Sequence, residues 1–530
     1  MDRDRPPLRA ARAAAAALPA LFLALFFAYP LATILERGLW EDGLPLDLLG
    51  SRSTLEIVWF TVWQAAASTA LTLLLGLPLA WVIARFAFSG RALVRSLVLV
   101  PFVLPTTVVA AAFLAVLPAG AERGIGPILA AHVFFNVAVV VRVVGSWWGR
   151  IEGGVWEAAA TLGAGPVRRF TAVTLPLLRP ALAAAASLVF LFSFTSFGVI
   201  LILGGPTRPT LETEIYNQAA RLFDLQTAAG LSLLQLTAIA LVLAVAGRLE
   251  RRAGIVVAVA PEGEILRRPR GAERVVVPAV LLSFGLALAL PPLALVERSL
   301  STPTGYGLDL FRLLGEETAA LLVPPWHAVV NSLLFAGAAT ALALLVGGLA
   351  AAAIARSGAL WLDTLVMLPL GASAVMLGFG FVLAFDDPPL DLRGSPWLVP
   401  VAQALVAAPF VVRIVAPALR AIDESLREAA AVLGASPARV WREIDAPIVL
   451  RALGVAAGFA FAISLGEFGA TVFIAQSDWP TVPVAIFRFL GRPGAVNAGL
   501  AAALGVVLMA LTVATVLVAD RVTSVRRGAL

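Results

Sequence analysis

Three carboxylates in this chain stand where their neighbours give them work to do. Glu157 and Glu428 each precede three alanines and then, six positions on, a glycine, Gly163 or Gly434. A carboxylate in the first turn of a helix meets the positive end of its dipole, and alanine extends the helix at the lowest entropic cost. The glycine then supplies a left-handed stop, and Pro166 or Pro437 suits the first turn of a second short helix. Such a unit recognises rather than reacts: Ala158, Ala159, Ala429 and Ala430 are small enough to let another surface approach closely. Arg168 and Arg439, on the second short helix, could meet that surface or lipid headgroups. The third carboxylate, Glu467, lies in an apolar run, where a charge is costly and a cation is its natural counterpart. It could instead lie near the outer interface, paired with Arg488 or Arg492.

The two glutamate windows are copies of each other. They lie 271 residues apart (428 − 157), and from Glu157 to Leu182 and Glu428 to Leu453 they share 12 of 26 residues, including Pro176/Pro447. The same offset pairs Ser193 with Ser464, Ser196 with Glu467, Phe197 with Phe468, Gly198 with Gly469 and His132 with Gln403. It also pairs Arg142 with Arg413, whereas Pro101 matches Pro369 at 268, which implies a loop of different length. Duplication on this scale means two structural repeats.

Other chemistry is scarce. His132, within an apolar segment, reads as an interhelical hydrogen-bonding residue, and His327, beside Pro324-Pro325-Trp326, as an interfacial one. With 2 His and no Cys, no dense transition-metal site is expected. All 39 basic residues are Arg, so the Lys of a phosphate-binding loop is missing and the chain is not itself a P-loop ATPase. No nucleophile, base and acid group together, which argues against an enzyme.

Everything that must position these residues is apolar. The chain has 530 residues, is 60% hydrophobic and 14% charged, and has a mean hydropathy of +0.94, which is the composition of a polytopic membrane protein. Apolar runs predict twelve spans, near 13–35, 54–84, 96–117, 127–148, 180–203 and 228–247, then 275–296, 326–355, 362–385, 397–418, 452–475 and 498–519. The first, behind a polar arm with four Arg (residues 1–12), reads as a span rather than a signal peptide, because no small-residue cleavage site follows it. Pro101 and Pro105 predict kinks in the third span. The residues around Gly204-Gly205-Pro206 read as an outer loop.

The basic pI, about 10.8, reflects Arg gathered on one side of these spans, the positive-inside bias, rather than affinity for nucleic acid. Residues 1–247 form the first repeat, 248–274 an Arg-rich cytoplasmic linker and 275–530 the second repeat. Six spans per half give both halves the same orientation, so the loops 149–179 and 420–451 face one compartment. Parallel repeats imply a pseudo-twofold axis along the membrane normal, with a path between the halves.

Glu-Ala-Ala, three residues, Gly, nine residues, then Val173-Thr174-Leu175-Pro176 resembles the EAA loop of permease subunits of binding-protein-dependent ABC importers. Ile444-Asp445-Ala446-Pro447 departs from it once, with Ala for Leu. The resemblance covers nearly the whole chain. It implies an all-α permease of the MetI-like type, in a bacterial inner membrane with both termini cytoplasmic. It implies coupling of Glu157, Ala158, Ala159, Gly163, Glu428, Ala429, Ala430 and Gly434 to two copies of a cytoplasmic ATPase, which would carry the ATP and Mg. An extracytoplasmic binding protein would deliver the solute. Ser193, Ser196, Phe197, Ser464, Glu467 and Phe468 become candidates for the solute path. Fused permeases of this kind resemble those for thiamine and for ferric iron, and Ser193 through Pro206 with Thr213-Glu214-Ile215-Tyr216 is similar to the thiamine type. An ion-coupled secondary transporter of twelve helices is the rival reading, but it would call for more carboxylates in the spans and leaves the duplicated loop unexplained.

Overall fold

Leu104 precedes a proline and is therefore driven to extended backbone, with ψ at 138°. With Pro105, whose ψ is also 138°, it breaks the third span. Its limbs, Arg91–Val103 and Thr106–Val116, meet at 100° where sequence predicted a kinked but continuous helix. The ninth span breaks likewise, at 98°, between Leu360–Gly371 and Ala374–Ala384. There the hinge holds Ser373 instead of a proline (373 − 105 = 268, the offset that also relates Pro369 to Pro101). Ser373 is extended, with ψ at 143°, and its hydroxyl accepts from the amides of Val375 and Met376. One break is made by a missing donor and a steric clash, the other by a side-chain cap.

The computed structural model describes residues 16–524, apart from 42–47, 49, 119, 122, 152, 254–265, 303–304, 387 and 389. The polar arm 1–12 and the middle of the linker therefore lie outside the described residues. Among the described residues ten helices are long and apolar enough to cross a membrane, or twelve if each bent pair is one span. They are Ala16–Leu39, Arg52–Arg85, Ile125–Trp148, Pro166–Phe194 and Leu225–Arg248 in the first half. The second half has Glu273–Leu300, Trp326–Ala355, Leu398–Arg420, Ala438–Gly466 and Ala495–Ala519. The chain is a polytopic helical membrane protein built from two repeats.

Each half is a bundle of its second, fourth and fifth spans, repeated as the eighth, tenth and eleventh. The flanking helices are exchanged. The first span packs on the Ala374–Ala384 limb of the second half, and the seventh packs on the Thr106–Val116 limb of the first. Leu23, Phe27 and Ile34 of the first span are buried in this way, and a Cβ at Gly380 would come within 3.0 Å of Pro30. The halves therefore hold each other by reciprocal arms around their broken spans.

Several boundaries differ from expectation. The fifth and eleventh spans end at Phe194 and Gly466, short of 203 and 475, and the remainder of each forms a separate short helix, Gly198–Leu203 and Thr471–Ile474. The sixth span continues as helix to Ala253, past 247, and the seventh starts at Glu273. Between them Arg267 pairs with the end of the second span, donating its amide to Arg85 O (3.1 Å) and accepting from Ala87 (3.0 Å). The segment read as an outer loop folds back instead: Leu211–Tyr216 forms a helix between the fifth and sixth spans, with Leu211, Glu212 and Ile215 fully buried. Val482–Leu490 is its counterpart in the second half.

Candidate functional site

The two duplicated loops form the helix, glycine stop and second short helix that the sequence predicts. Glu157 and Glu428, however, are each the fifth residue of their helix and not in its first turn, because the helices begin four residues earlier, the second behind an Asp423 cap. Gly153–Thr161 and Glu424–Val432 are helices, and each ends where a glycine takes positive φ, +79° at Gly163 and +81° at Gly434. Ala164 N–H then reaches back to Ala159 O and Gly163 N–H to Ala160 O; Ala435 to Ala430 and Gly434 to Ala431 repeat the pair, at 2.9–3.0 Å. These are the two bonds of a Schellman stop. The alanines of the motif thus supply the carbonyls that close the turn.

Short helices follow, Pro166–Arg169 and Pro437–Val440, and each runs into its span through a π turn, Phe170–Thr174 or Trp441–Asp445. The reason is the next proline. Pro176 and Pro447 donate no N–H and crowd the carbonyl four residues back, which a wider turn relieves. In the wider turn Leu175 N–H bonds Phe170 O, and Ala446 N–H bonds Trp441 O. The spacing between the glycine and this proline is therefore set by the hinge that aims the knob away from its span.

Glu157 and Glu428 are exposed, as are Ala158, Ala429 and both glycines, while Ala159 and Ala430 are half-buried. The knobs also expose apolar residues that the sequence reading passed over. Leu162 and its counterpart Leu433 are each 87% accessible, and Val155 and Leu426 form a second exposed pair. The signal was available, because Leu162 and Leu433 are identical within the repeat. Arg168 is exposed, and Arg439 pairs with Glu443 at 3.1 Å on the surface, a contact worth little.

Different side chains tie the two knobs down at matching positions. In the first, the Arg85 guanidinium lies 4.7 Å from the centre of the Trp156 ring. In the second, Arg427 occupies the place of Trp156 and donates to Asp445 at 2.9 Å. Asp445 is buried, so Arg427→Ala strands its carboxylate. We expect a loss of about 1–3 kcal/mol of local stability, read as faster amide exchange across residues 424–434 with exchange in the first knob unchanged.

The candidate path residues divide into three groups. Ser193 and Ser196 make hydrogen bonds inside the first half, Ser196 with His132. His132 bridges three spans, with Nδ1 2.9 Å from Ser68 Oγ and Nε2 2.9 Å from Ser196 Oγ. Gln64 donates to the carbonyl of Ser193 at 2.8 Å. In the second half Ala339, Gln403 and Phe335 stand at the positions of Ser68, His132 and Gln64, and the buried Ser464 Oγ lacks a hydrogen-bond partner there.

Glu467 is the second group. It is buried, and Arg488 and Arg492 do not pair with it. Its carboxylate accepts from the amides of Ala470 (2.8 Å) and Thr471 (3.0 Å) and from the Thr471 hydroxyl. Those amides open the short helix Thr471–Ile474, which follows the break at the end of the eleventh span. A helix start buried among apolar helices has no water to satisfy its free N–H groups, and Glu467 satisfies them.

The third group is aromatic. Phe197 stacks on Phe468 with ring centres 5.4 Å apart. Residues that are each other's counterparts can touch only near the axis relating the repeats. A second counterpart pair completes the cluster, Tyr216 and Phe487 (487 − 216 = 271). Tyr216 lies 5.5 Å from Phe197, Phe487 lies 5.5 Å from Phe468, and Tyr216 and Phe487 are 6.2 Å apart. The four rings close a circuit across the seam. The close approach depends on Gly198, where a Cβ would stand 2.5 Å from Thr106 Oγ1 and 3.3 Å from the Phe468 ring. From the knob, the helix Leu175–Phe194 carries the chain through 20 residues, about 30 Å, to this circuit. Knob and rings thus lie at opposite ends of a bilayer-length helix.

Set beside known proteins, the chain matches the family described as binding-protein-dependent transport system inner membrane component twice, over residues 73–254 and 343–525. A thiamine transport system permease protein of Brucella abortus strain 2308 is 31% identical over 540 residues, covering 96% of this chain and 95% of its own. Its namesake in Brucella suis biovar 1 matches at the same level, 31% identity over 96% of this chain and 95% of its own. A 2-aminoethylphosphonate transport system permease protein of Salmonella typhimurium strain LT2 is 32% identical over 223 residues, 42% of this chain and 81% of its own.

Proposed function

The chain belongs to the binding-protein-dependent inner-membrane permeases, present here as two fused repeats, and from that premise we propose that it is the membrane subunit of a thiamine importer. Likeness to thiamine permeases over 96% of this chain and 95% of theirs, fused repeats included, carries the choice of cargo. Family membership sets aside the ion-coupled secondary transporter. The work of such a subunit is transport, with ATP hydrolysed on partner subunits.

Two copies of a cytoplasmic ATPase would seat the knobs, one each, and hold the ATP and Mg. Exposed Leu162 and Leu433 support this: apolar side chains on a surface beyond the bilayer ends find their partner in another protein. The Arg-rich side is then cytoplasmic, with both termini on it, and a binding protein delivers solute to the opposite face. The aromatic circuit between the halves keeps that outer side shut until ATP drives the halves to rearrange.

Calorimetry on the binding protein encoded beside this gene tests the cargo, with thiamine, ferric iron and 2-aminoethylphosphonate offered in turn. Saturable thiamine binding is the expected result. Binding of iron alone, or of the phosphonate alone, would overturn the cargo and leave the importer family untouched.

A further inference from the structure

Glu212 is the buried carboxylate that the sequence reading passed over. It sits on the helix Leu211–Tyr216 with 0% exposure. Its Oε1 accepts from Gln235 Nε2 at 2.9 Å, and its Oε2 accepts from Ser373 Oγ at 2.5 Å. Gln235 belongs to the sixth span of the same half. Ser373 is the hinge residue of the broken ninth span, in the other half. The carboxylate is therefore clasped across the seam, and among the described residues no arginine pairs with it. A carboxylate held inside a membrane protein by two neutral donors is costly, and residues of this kind mark routes for ions and solutes.

The neighbours on its own helix narrow the chemistry. Tyr216 is four residues on, hence on the same helix face, and its ring is one of the four at the seam. One face of that ring already receives a planar cation, the Arg221 guanidinium at 5.6 Å. Aromatic faces beside a carboxylate make a site for an organic cation. The repeat shows that the feature is one-sided, for position 483 (212 + 271) is Pro483 and the carboxylate of Glu467 is spent on its own helix start.

We propose that Glu212, with Tyr216 and Phe197, receives a cationic solute as the halves part, and that Ser373 holds the carboxylate while they are closed. When the seam opens, Ser373 leaves with the second half, and Glu212 keeps Gln235 and gains a free acceptor oxygen towards the path. The proposal deepens the thiamine reading and rests on it, since thiamine carries a fixed positive charge on a flat ring.

The test uses the complete transporter, with its ATPase and binding protein, in proteoliposomes. Glu212→Gln keeps the size of the side chain and an acceptor for Ser373 while removing the charge. Thiamine taken up per ATP hydrolysed is expected to fall on the order of tenfold, the worth of one charge-assisted contact. Glu212→Asp, which restores the charge, should recover most of it. An unchanged ratio in Glu212→Gln overturns the proposal. So does loss of uptake and stimulated hydrolysis together without recovery in Glu212→Asp, which would mark Glu212 as a seam-packing residue. Calorimetry on the isolated binding protein separates the two readings. If it binds only a neutral or anionic solute, the cargo assignment and this proposal both fall; if it binds thiamine, the Glu212 variants alone decide.

Discussion

Replacing Gly163 and Gly434 together by valine is expected to abolish ATP-driven uptake while leaving the membrane bundle folded. Both glycines have φ near +80°, a region that costs an ordinary L-residue about 1–2 kcal/mol and a β-branched one more. Space is not the obstacle, for a Cβ at either position meets nothing within 4 Å. What is lost is the two-bond stop that turns each knob, and with it the angle between the helix bearing Glu157 or Glu428 and the span below. A penalty of one to two kcal/mol per knob removes about five- to thirty-fold of the correctly shaped population, and an importer that must engage both ATPase copies suffers both losses. Asparagine is the informative control, since it enters the left-handed region more readily. Gly163→Asn with Gly434→Asn should retain much of the binding-protein-stimulated ATPase activity that the valine pair loses. Equal activity of the valine pair and the parent protein would show that knob shape does not transmit the ATPase cycle.

The knobs were legible in the sequence because their information is local. Glycine, proline and alanine act through backbone preferences that hold wherever the segment lies, and the duplication doubled the signal. The seam was not legible, because burial there is decided by the other half of the chain. Glu467 drew notice as a charge in an apolar run, yet its oxygens are engaged by residues three and four positions on. Glu212 lies just past the segment read as an outer loop, and partners distant in sequence, Gln235 and Ser373, the latter 161 positions away, hold it inside. The breaks in the third and ninth spans show the same limit. Pro105 announces one, but Ser373 makes the other with a hydroxyl cap that no periodicity reveals. Tyr216 and Phe487 keep the repeat offset, as Phe197 and Phe468 do, but equivalence in sequence does not place the four rings in contact; the packing of the two halves does.

That circuit carries the other large effect. If Phe197, Phe468, Tyr216 and Phe487 close the outer side, Phe197→Ala with Phe468→Ala should open it. Each buried Phe→Ala change removes about 3–5 kcal/mol from the packed arrangement. Most of that cost falls on the closed state, because the two rings stack on each other only when the halves meet at the axis. Withdrawing even ~3 kcal/mol from one side of a two-state equilibrium multiplies the other population by roughly a hundredfold. Proteoliposomes holding the double variant and preloaded with thiamine should therefore leak without ATP and fail to accumulate solute with it. Phe197→Leu with Phe468→Leu refills part of the volume and should leak less. The two knobs remain untouched in both variants, so the ATPase subunits still dock, and a leak must come from the seam. A double alanine variant that stays tight and accumulates thiamine like the parent would place the outer closure on other residues, and would leave the four rings as packing between the halves.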